Sequence, residues 1–142
     1  MRGAQQFPPK VGKIRYSADE QTNKRKQSFV EYLLIITNLP DRAQALALAQ
    51  KLVEDRLVAC VNVLADCTSV YRWQGKSETA IEVPLLIKTL AQHYIAVERL
   101  IKSEHPYELP EIIAVPISSG LPAYLRWIAD ETSSTAASIE DD

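Results

Sequence analysis

The feature that most restricts the fold is a long β-rich stretch, residues 59–89, which a single turn signal divides in two. The segments ACVNVLADCTSVYRWQ (59–74) and TAIEVPLLIKT (79–89) flank the turn signal GKSE (75–78). Strands usually contain about 5–6 residues, so a hairpin of this length must project beyond its own sheet. The ADCT step at residues 65–68 is a candidate position for a β-bulge.

The tip of this hairpin carries the large apolar side chains of Val70, Tyr71 and Trp73, which are costly to leave in water. Exposed strand edges also invite pairing with other chains. We therefore predict an oligomer in which Tyr71 and Trp73 are interface residues, because aromatic side chains are enriched at interfaces. Two alternatives stay open: helices of the same chain cover the hairpin, or Tyr71, Trp73 and Lys76 form a ligand platform.

The segments on either side of the hairpin complete a regular alternation of strands and helices. Apolar runs and helical stripes predict a strand over 29–37, a helix over 41–57, a helix over 90–104, a strand over 111–118 and a short helix that begins at Pro122. The resulting order, β-α-β-β-α-β plus a terminal helix, is an α+β fold of the ferredoxin-like type. Right-handed crossovers place both longer helices on one face of an antiparallel sheet. Pro116 cannot donate to a ladder, which predicts an edge strand or a strand end.

The two ends of the chain lack the apolar periodicity of the middle. Residues 1–27 carry seven Lys and Arg residues against two acids, a net charge of +5, and are rich in Gln, Pro and Ser. This composition predicts a disordered basic arm over 1–28. Residues 132–142 predict a short disordered acidic tail. The folded domain is therefore expected to span 29–131.

The overall composition excludes several classes of protein. With 46% hydrophobic and 24% charged residues, the chain is typical of globular proteins, and its net charge of −2 argues against nucleic-acid binding. No apolar run approaches the roughly 18 residues of a membrane span, and the N-terminus lacks the apolar region of a signal peptide. We expect a protein of the cytoplasm. Cys60 and Cys67 are seven residues apart and would face opposite sides of a regular strand, so a disulfide between them is not expected.

The stretch SEHPYELPE (103–111) offers the clearest candidate site. His105 follows the predicted second helix, where the helix dipole favours a cation, and Glu104 beside it requires a compensating positive charge. A metal ion, a Lys or Arg, or a protonated His105 would each supply that charge. Imidazole and carboxylate ligands suit Zn²⁺ or Cu²⁺, while a structural cap of the helix is the alternative. The sequence has no GxSxG, HExxH or glycine-rich phosphate loop, so we do not expect an enzyme.

Several motifs together resemble one known family. LVACVNVL (57–64), TSVYRWQGK (68–76), LLIKT (85–89), SEHPYELPEIIAVPI (103–117) and YLRWI (124–128) are similar to segments of the CutA family, the divalent-cation tolerance proteins. The resemblance runs from about residue 30 to residue 131. It implies a ferredoxin-like fold, a homotrimer formed through the long hairpin, a response to copper or other divalent metal ions, and no firmly attached enzymatic activity.

The resemblance also implies where a metal would bind. Copper-binding bacterial members have a cysteine at the end of the first strand and two adjacent histidines before Pro-Tyr. This chain has Ile36 and Glu104 at two of those positions, and only His105 matches. We therefore expect weak binding of Cu²⁺ or another divalent ion through His105 and Glu104, with Glu108 as a possible further ligand.

The family's likeness to the trimeric PII signalling proteins implies an alternative function. In that case the trimer would be a signalling or scaffold module without enzymatic activity. A cleft between subunits would take a small anionic ligand or a partner protein. Its lining would be Tyr71, Trp73, Lys88 and Tyr107, which makes Tyr107 a third predicted interface residue.

Overall fold

The computed structural model describes residues 30–133. The predicted basic arm lies outside this range, as does all but the first two residues of the predicted acidic tail. The elements are β1 (Tyr32–Leu39), α1 (Arg42–Glu54), β2 (Cys60–Val63), β3 (Cys67–Trp73), β4 (Lys76–Leu90), a 3₁₀ turn (Ala91–His93), α2 (Tyr94–Glu104), β5 (Ile112–Ile117) and α3 (Pro122–Glu131). Thr132 is buried and its hydroxyl donates to the carbonyl of Ile128, so the packed part of the chain extends past the predicted boundary.

The strands form one antiparallel sheet in the order β2-β4-β1-β5, with β3 paired to the far part of β4. Alternate residues of β1, from Leu33 to Leu39, are buried and pack with residues of α1 and α2 in a single core cluster. Both helices therefore cover the same face of the sheet, and the predicted α+β, ferredoxin-like fold is confirmed. Strand β5 lies at the sheet edge, as Pro116 predicted.

The long hairpin is present and contains an irregularity close to the predicted one. Val63 pairs with Leu85 and Cys67 pairs with Glu82, so residues 64–66 stand opposite only two residues of β4. One of those two is Pro84, whose carbonyl accepts from the Leu64 N–H at 2.9 Å but which has no N–H to return. The bulge thus lies opposite Pro84, where the strand cannot donate a hydrogen bond, and in this way a long strand tolerates proline.

The turn of the hairpin is tighter than predicted. Trp73 pairs directly with Lys76, which leaves Gln74 and Gly75 as a two-residue loop. Their φ angles are 50° and 80°, so both residues have the left-handed conformation that a type I′ hairpin turn requires. Consequently Lys76, Ser77 and Glu78 belong to β4, and the projecting part of the hairpin is longer than the turn signal suggested.

Helix boundaries follow local signals. Asp41 caps α1, and its side chain accepts from the Gln44 N–H at 2.8 Å. The helix ends at Glu54, three residues before the predicted end, and Arg56 then adopts a φ of 58°. Leu90, predicted as the start of the second helix, is instead the last residue of β4.

Candidate functional site

His105 directly follows the last residue of α2, and both of its ring nitrogens form hydrogen bonds with backbone groups. Its Nε2 lies 2.7 Å from the Asn38 carbonyl oxygen, and its Nδ1 lies 3.1 Å from the Tyr107 backbone N–H. Because a backbone N–H can only donate, Nδ1 must accept, so Nε2 carries the proton and donates to Asn38. The residue is 8% exposed. These contacts make His105 a structural cap of α2, the alternative that the sequence left open beside a metal ligand.

Glu104 turns away from His105 and pairs with α1. Its Oε1 lies 2.6 Å from the Lys51 Nζ, with both side chains roughly half exposed. The hydrogen bond and charge of Glu104 raise the pKa of Lys51 above its ordinary value. Lys51 is thus the positive charge that the acid at the helix end required, and no metal ion is needed for that purpose.

The predicted metal site does not fit this geometry. A metal at His105 would have to replace one of two backbone hydrogen bonds, and Glu104 would have to release Lys51. Between residues 30 and 133, no three His, Cys, Asp or Glu side chains are grouped so that they would hold a metal ion. Metal binding by His105 and Glu104 therefore stays a prediction that the arrangement of these side chains does not favour.

The three predicted interface residues, in contrast, lie together. Tyr71 and Trp73 on the hairpin and Tyr107 after α2 line one open groove of about 990 Å³. One side of the groove is the projecting hairpin, and the other is the segment that leads into β5. The lining residues are Asn38, Ser69, Val70, Tyr71, Trp73, Glu82, Pro106, Tyr107, Glu108, Leu109, Pro110, Glu111, Ile112 and Ile113.

Glu82 is the most deeply placed acid of the groove and was not among the predicted site residues. It is 8% exposed, and the Tyr107 hydroxyl donates a hydrogen bond to its carboxylate. Burial and the nearby charge of Glu82 raise the pKa of Tyr107 to about 12, so the phenol keeps its proton at neutral pH. The only sequence signal for Glu82 is an acid inside an apolar strand, and that pattern does not distinguish a buried from an exposed carboxylate.

The charge of the groove is opposite to what an anionic ligand would need. Among the described residues that line it are three acids, Glu82, Glu108 and Glu111, and no Lys, Arg or His. Lys88, predicted as part of the cleft, lies elsewhere on the sheet, where its Nζ donates to Asn62 Oδ1 at 2.7 Å. The groove combines aromatic walls with negative charge, a chemistry that suits cations.

Residues 33–131 match the family model of the CutA1 divalent ion tolerance protein. The chain belongs to the CutA1 family. A CutA homologue from Xenopus laevis is 45% identical over 91 residues, which make up 64% of this chain and 60% of the Xenopus protein. This CutA-family chain thus spans less than two thirds of that relative.

Solved structures of CutA proteins share the fold. The structure of CutA from Xylella fastidiosa is 48% identical with a TM-score of 0.70, and the match covers 72% of this chain and 98% of that one. The periplasmic divalent cation tolerance protein CutA from Archaeoglobus fulgidus is 33% identical with a TM-score of 0.70, over 72% of this chain and 99% of the other. No helix within residues 30–133 has the length and apolarity to cross a membrane. A cytoplasmic location remains a prediction.

Proposed function

We propose that this CutA-family protein forms a homotrimer that contributes to divalent-cation tolerance by binding cations, without catalysing a reaction. The observation that carries the proposal is the acidic groove beside the hairpin, with Glu82, Glu108 and Glu111 in its lining. Carboxylate oxygens are ligands that divalent cations accept, and a concave wall of one sign of charge raises the local concentration of the opposite ion.

The exposed apolar surface supports the homotrimer. The sheet face turned away from α1 and α2, which we call the open face, carries Leu34, Ile36, Leu86, Ile113 and Val115. Ile113 and Val115 are 49% and 45% exposed, and on the hairpin Val70 is 73% exposed. Contiguous apolar surface of this kind marks an interaction site. Three is the number of subunits that the resemblance to the family implies, and the open face and hairpin supply the surface that copies would bury.

The proposed cation binding is weak, for a geometric reason. Since no three potential ligand side chains of the described range are grouped for chelation, an ion in the groove keeps most of its water. Binding at His105 and Glu104, the site implied by the resemblance, would also be weak, because two hydrogen bonds and one ion pair compete with it.

Calorimetric titration with Cu²⁺ and with Zn²⁺ distinguishes these two sites. We expect the double variant Glu108→Gln/Glu111→Gln to lose most of the binding, while His105→Ala keeps it. The double variant Glu54→Gln/Glu131→Gln removes the same charge from exposed positions outside the groove and should bind like the parent protein. Loss of binding only in His105→Ala would move the site to the end of α2, and equal binding by all four proteins would contradict the proposal.

A second candidate is a signalling or scaffold trimer that binds a small molecule or a partner at the same groove. A volume of about 990 Å³ lies at the upper end of the range for ligand pockets, about 300–1,000 Å³. The acidic lining directs this alternative toward cationic ligands. In a thermal-shift assay, spermidine should raise the melting temperature and a nucleoside triphosphate should not. The reverse order would contradict the assignment.

A further inference from the structure

Lys88 lies among the apolar residues of the open face, which the proposed homotrimer would bury. It pairs across the strands with Leu34 on β1 and Cys60 on β2, and Leu34 pairs in turn with Val115 at the sheet edge. Within residues 30–133, the Nζ of Lys88 donates to the Oδ1 of Asn62 and forms no ion pair. A positive charge that is buried without an acid is costly, so the assembled protein needs a carboxylate at this position.

Glu82 is a nearly buried acid of the groove that forms no ion pair with any described residue. It is 8% exposed, and its carboxylate accepts from the Tyr107 hydroxyl. A neutral phenol leaves the negative charge without a counterion, whereas an ammonium group would supply one. Glu108 and Glu111 are exposed and keep their water, so Glu82 is the acid of the groove that most needs a cation.

The two charged groups cannot meet within one subunit. Alternation along β4 places Glu82 and Lys88 on the same side of the sheet, the side of the open face, but six positions apart. At about 3.4 Å per residue this separation is roughly 20 Å, far more than a lysine side chain spans. A counterion for either group must therefore come from outside the subunit.

We propose that Lys88 of the partner subunit enters the groove and pairs with Glu82, a pairing that rests on the homotrimer of the proposed function. A ring of three subunits has heterologous interfaces, in which one surface of each copy meets a different surface of the next. The groove and the Lys88 end of the open face are two surfaces of opposite charge. They are also continuous, because Ile113 belongs both to the groove lining and to the open face. The aromatic walls of the groove add cation–π attraction for an ammonium group.

The pairing gives the three acids of the groove different roles. The ammonium group of the partner subunit neutralises Glu82, the most deeply placed acid. Glu108 and Glu111, at exposed positions, stay available to divalent cations. Each groove is therefore complete only when two subunits contribute to it.

A double-variant cycle on trimer dissociation tests the pairing. Glu82→Gln keeps an acceptor for the Tyr107 hydroxyl, and Lys88→Met keeps most of the apolar stem. Each single variant leaves one buried charge without its partner, so we expect dissociation at concentrations at least about tenfold higher than for the parent, by sedimentation velocity with chelator present. The double variant removes both charges and should return to within about threefold of the parent. Glu54→Gln/Lys102→Met makes the same two changes of charge at exposed positions and should match the parent.

A mixture of the two single variants shows whether the pair joins different subunits. In a mixed trimer, the groove of a Lys88→Met copy retains Glu82 and accepts Lys88 from a Glu82→Gln copy. We therefore expect the one-to-one mixture to dissociate at a concentration at least about threefold lower than either variant alone. A substitution that merely damaged the fold of its own subunit would not be rescued by mixing.

The outcomes separate this pairing from the proposed function. The pairing is overturned, with the homotrimer intact, if the Lys88→Met trimer is as stable as the parent or if neither the double variant nor the mixture is more stable than the single variants. Rescue by the double variant but not by the mixture would overturn it too, because the pair would then not join two subunits. A monomeric parent protein would overturn the homotrimer and the pairing together. None of these results depends on the metal titrations, so the pairing and the cation binding fail separately.

Discussion

The imidazole of His105 donates from Nε2 to the carbonyl oxygen of Asn38, 2.7 Å away, and joins the end of α2 to the end of β1. The same ring accepts from the Tyr107 N–H, which shapes the turn into the groove. In a CutA-family protein the histidine before Pro-Tyr therefore has a complete structural role without any metal ion.

Replacing this histidine should lower stability whether or not metal is present. His105→Ala leaves the Asn38 carbonyl and the Tyr107 N–H without their partner, and unpaired buried groups of this kind cost about 1–3 kcal/mol each. We expect the free energy of unfolding to fall by about 2 kcal/mol in urea denaturation with chelator present. Lys102→Ala, at an exposed position of the same helix, should change it by less than about 0.5 kcal/mol. A stable His105→Ala protein that has lost only copper binding would contradict the structural role.

Trp73→Asp should disrupt the homotrimer. Trp73 and Tyr71 lie on the same side of the projecting hairpin. The helices of the same subunit do not cover them, and their side chains are 40% and 44% exposed. A buried unpaired carboxylate at an interface is strongly unfavourable, so we expect monomer or insoluble protein by size-exclusion chromatography with light scattering. Gln50→Asp introduces the same charge at an exposed position of α1, away from the hairpin and the open face, and should leave the trimer intact. An unchanged profile for Trp73→Asp would exclude this surface as the interface.

The turn of the hairpin offers a stabilising change. Gln74 has a φ of 50°, which is unfavourable for most side chains but favourable for asparagine in a type I′ turn before glycine. Gln74→Asn should raise the free energy of unfolding by a few tenths to about 1 kcal/mol, with a matching rise in the melting temperature. Gly75→Ala should lower both, and since nothing lies within 4 Å of a new Cβ, the cost comes from the φ of 80° alone. Equal melting temperatures for all three proteins would contradict the turn assignment.

The pair formed by Tyr107 and Glu82 predicts a dependence of stability on alkaline pH. Burial, and after it the charge and hydrogen bond of Glu82, raise the folded pKa of Tyr107 to about 12 from its ordinary value of 10.0, so the protonated phenol stabilises the fold fully below pH 10. This contribution is lost as the pH rises through the folded value. Stability measured between pH 9 and about 12 should fall less steeply in Tyr107→Phe than in the parent protein. Tyr124→Phe, outside the groove, serves as the control, and identical slopes for Tyr107→Phe and the parent would contradict the pairing.

Local patterns in the sequence predicted most of the fold. The alternation in β1, the helical stripes and the length of the hairpin each reflect which side chains avoid water, and neighbouring residues suffice to show that. Even the bulge near residues 64–66 was expected within a few residues, although not the proline opposite it. The turn was predicted one residue too late. Glycine is a clear turn signal, whereas nothing in the sequence indicates that Gln74 adopts a left-handed conformation.

The candidate site was predicted less well, for a reason that its contacts make plain. Asn38 is 67 residues from His105, and Lys51 is 53 residues from Glu104, so neither partner is visible from the local motif. The sequence by itself determined the elements, their order and the aromatic residues of the hairpin, because those depend on local propensity and on burial of apolar surface. Only the tertiary structure decided that His105 is a cap, that Glu104 pairs with a lysine, and that Glu82 joins Glu108 and Glu111 in one acidic groove. Hydrogen bonds and charges act through space, so their partners are known only when distant segments have been brought together.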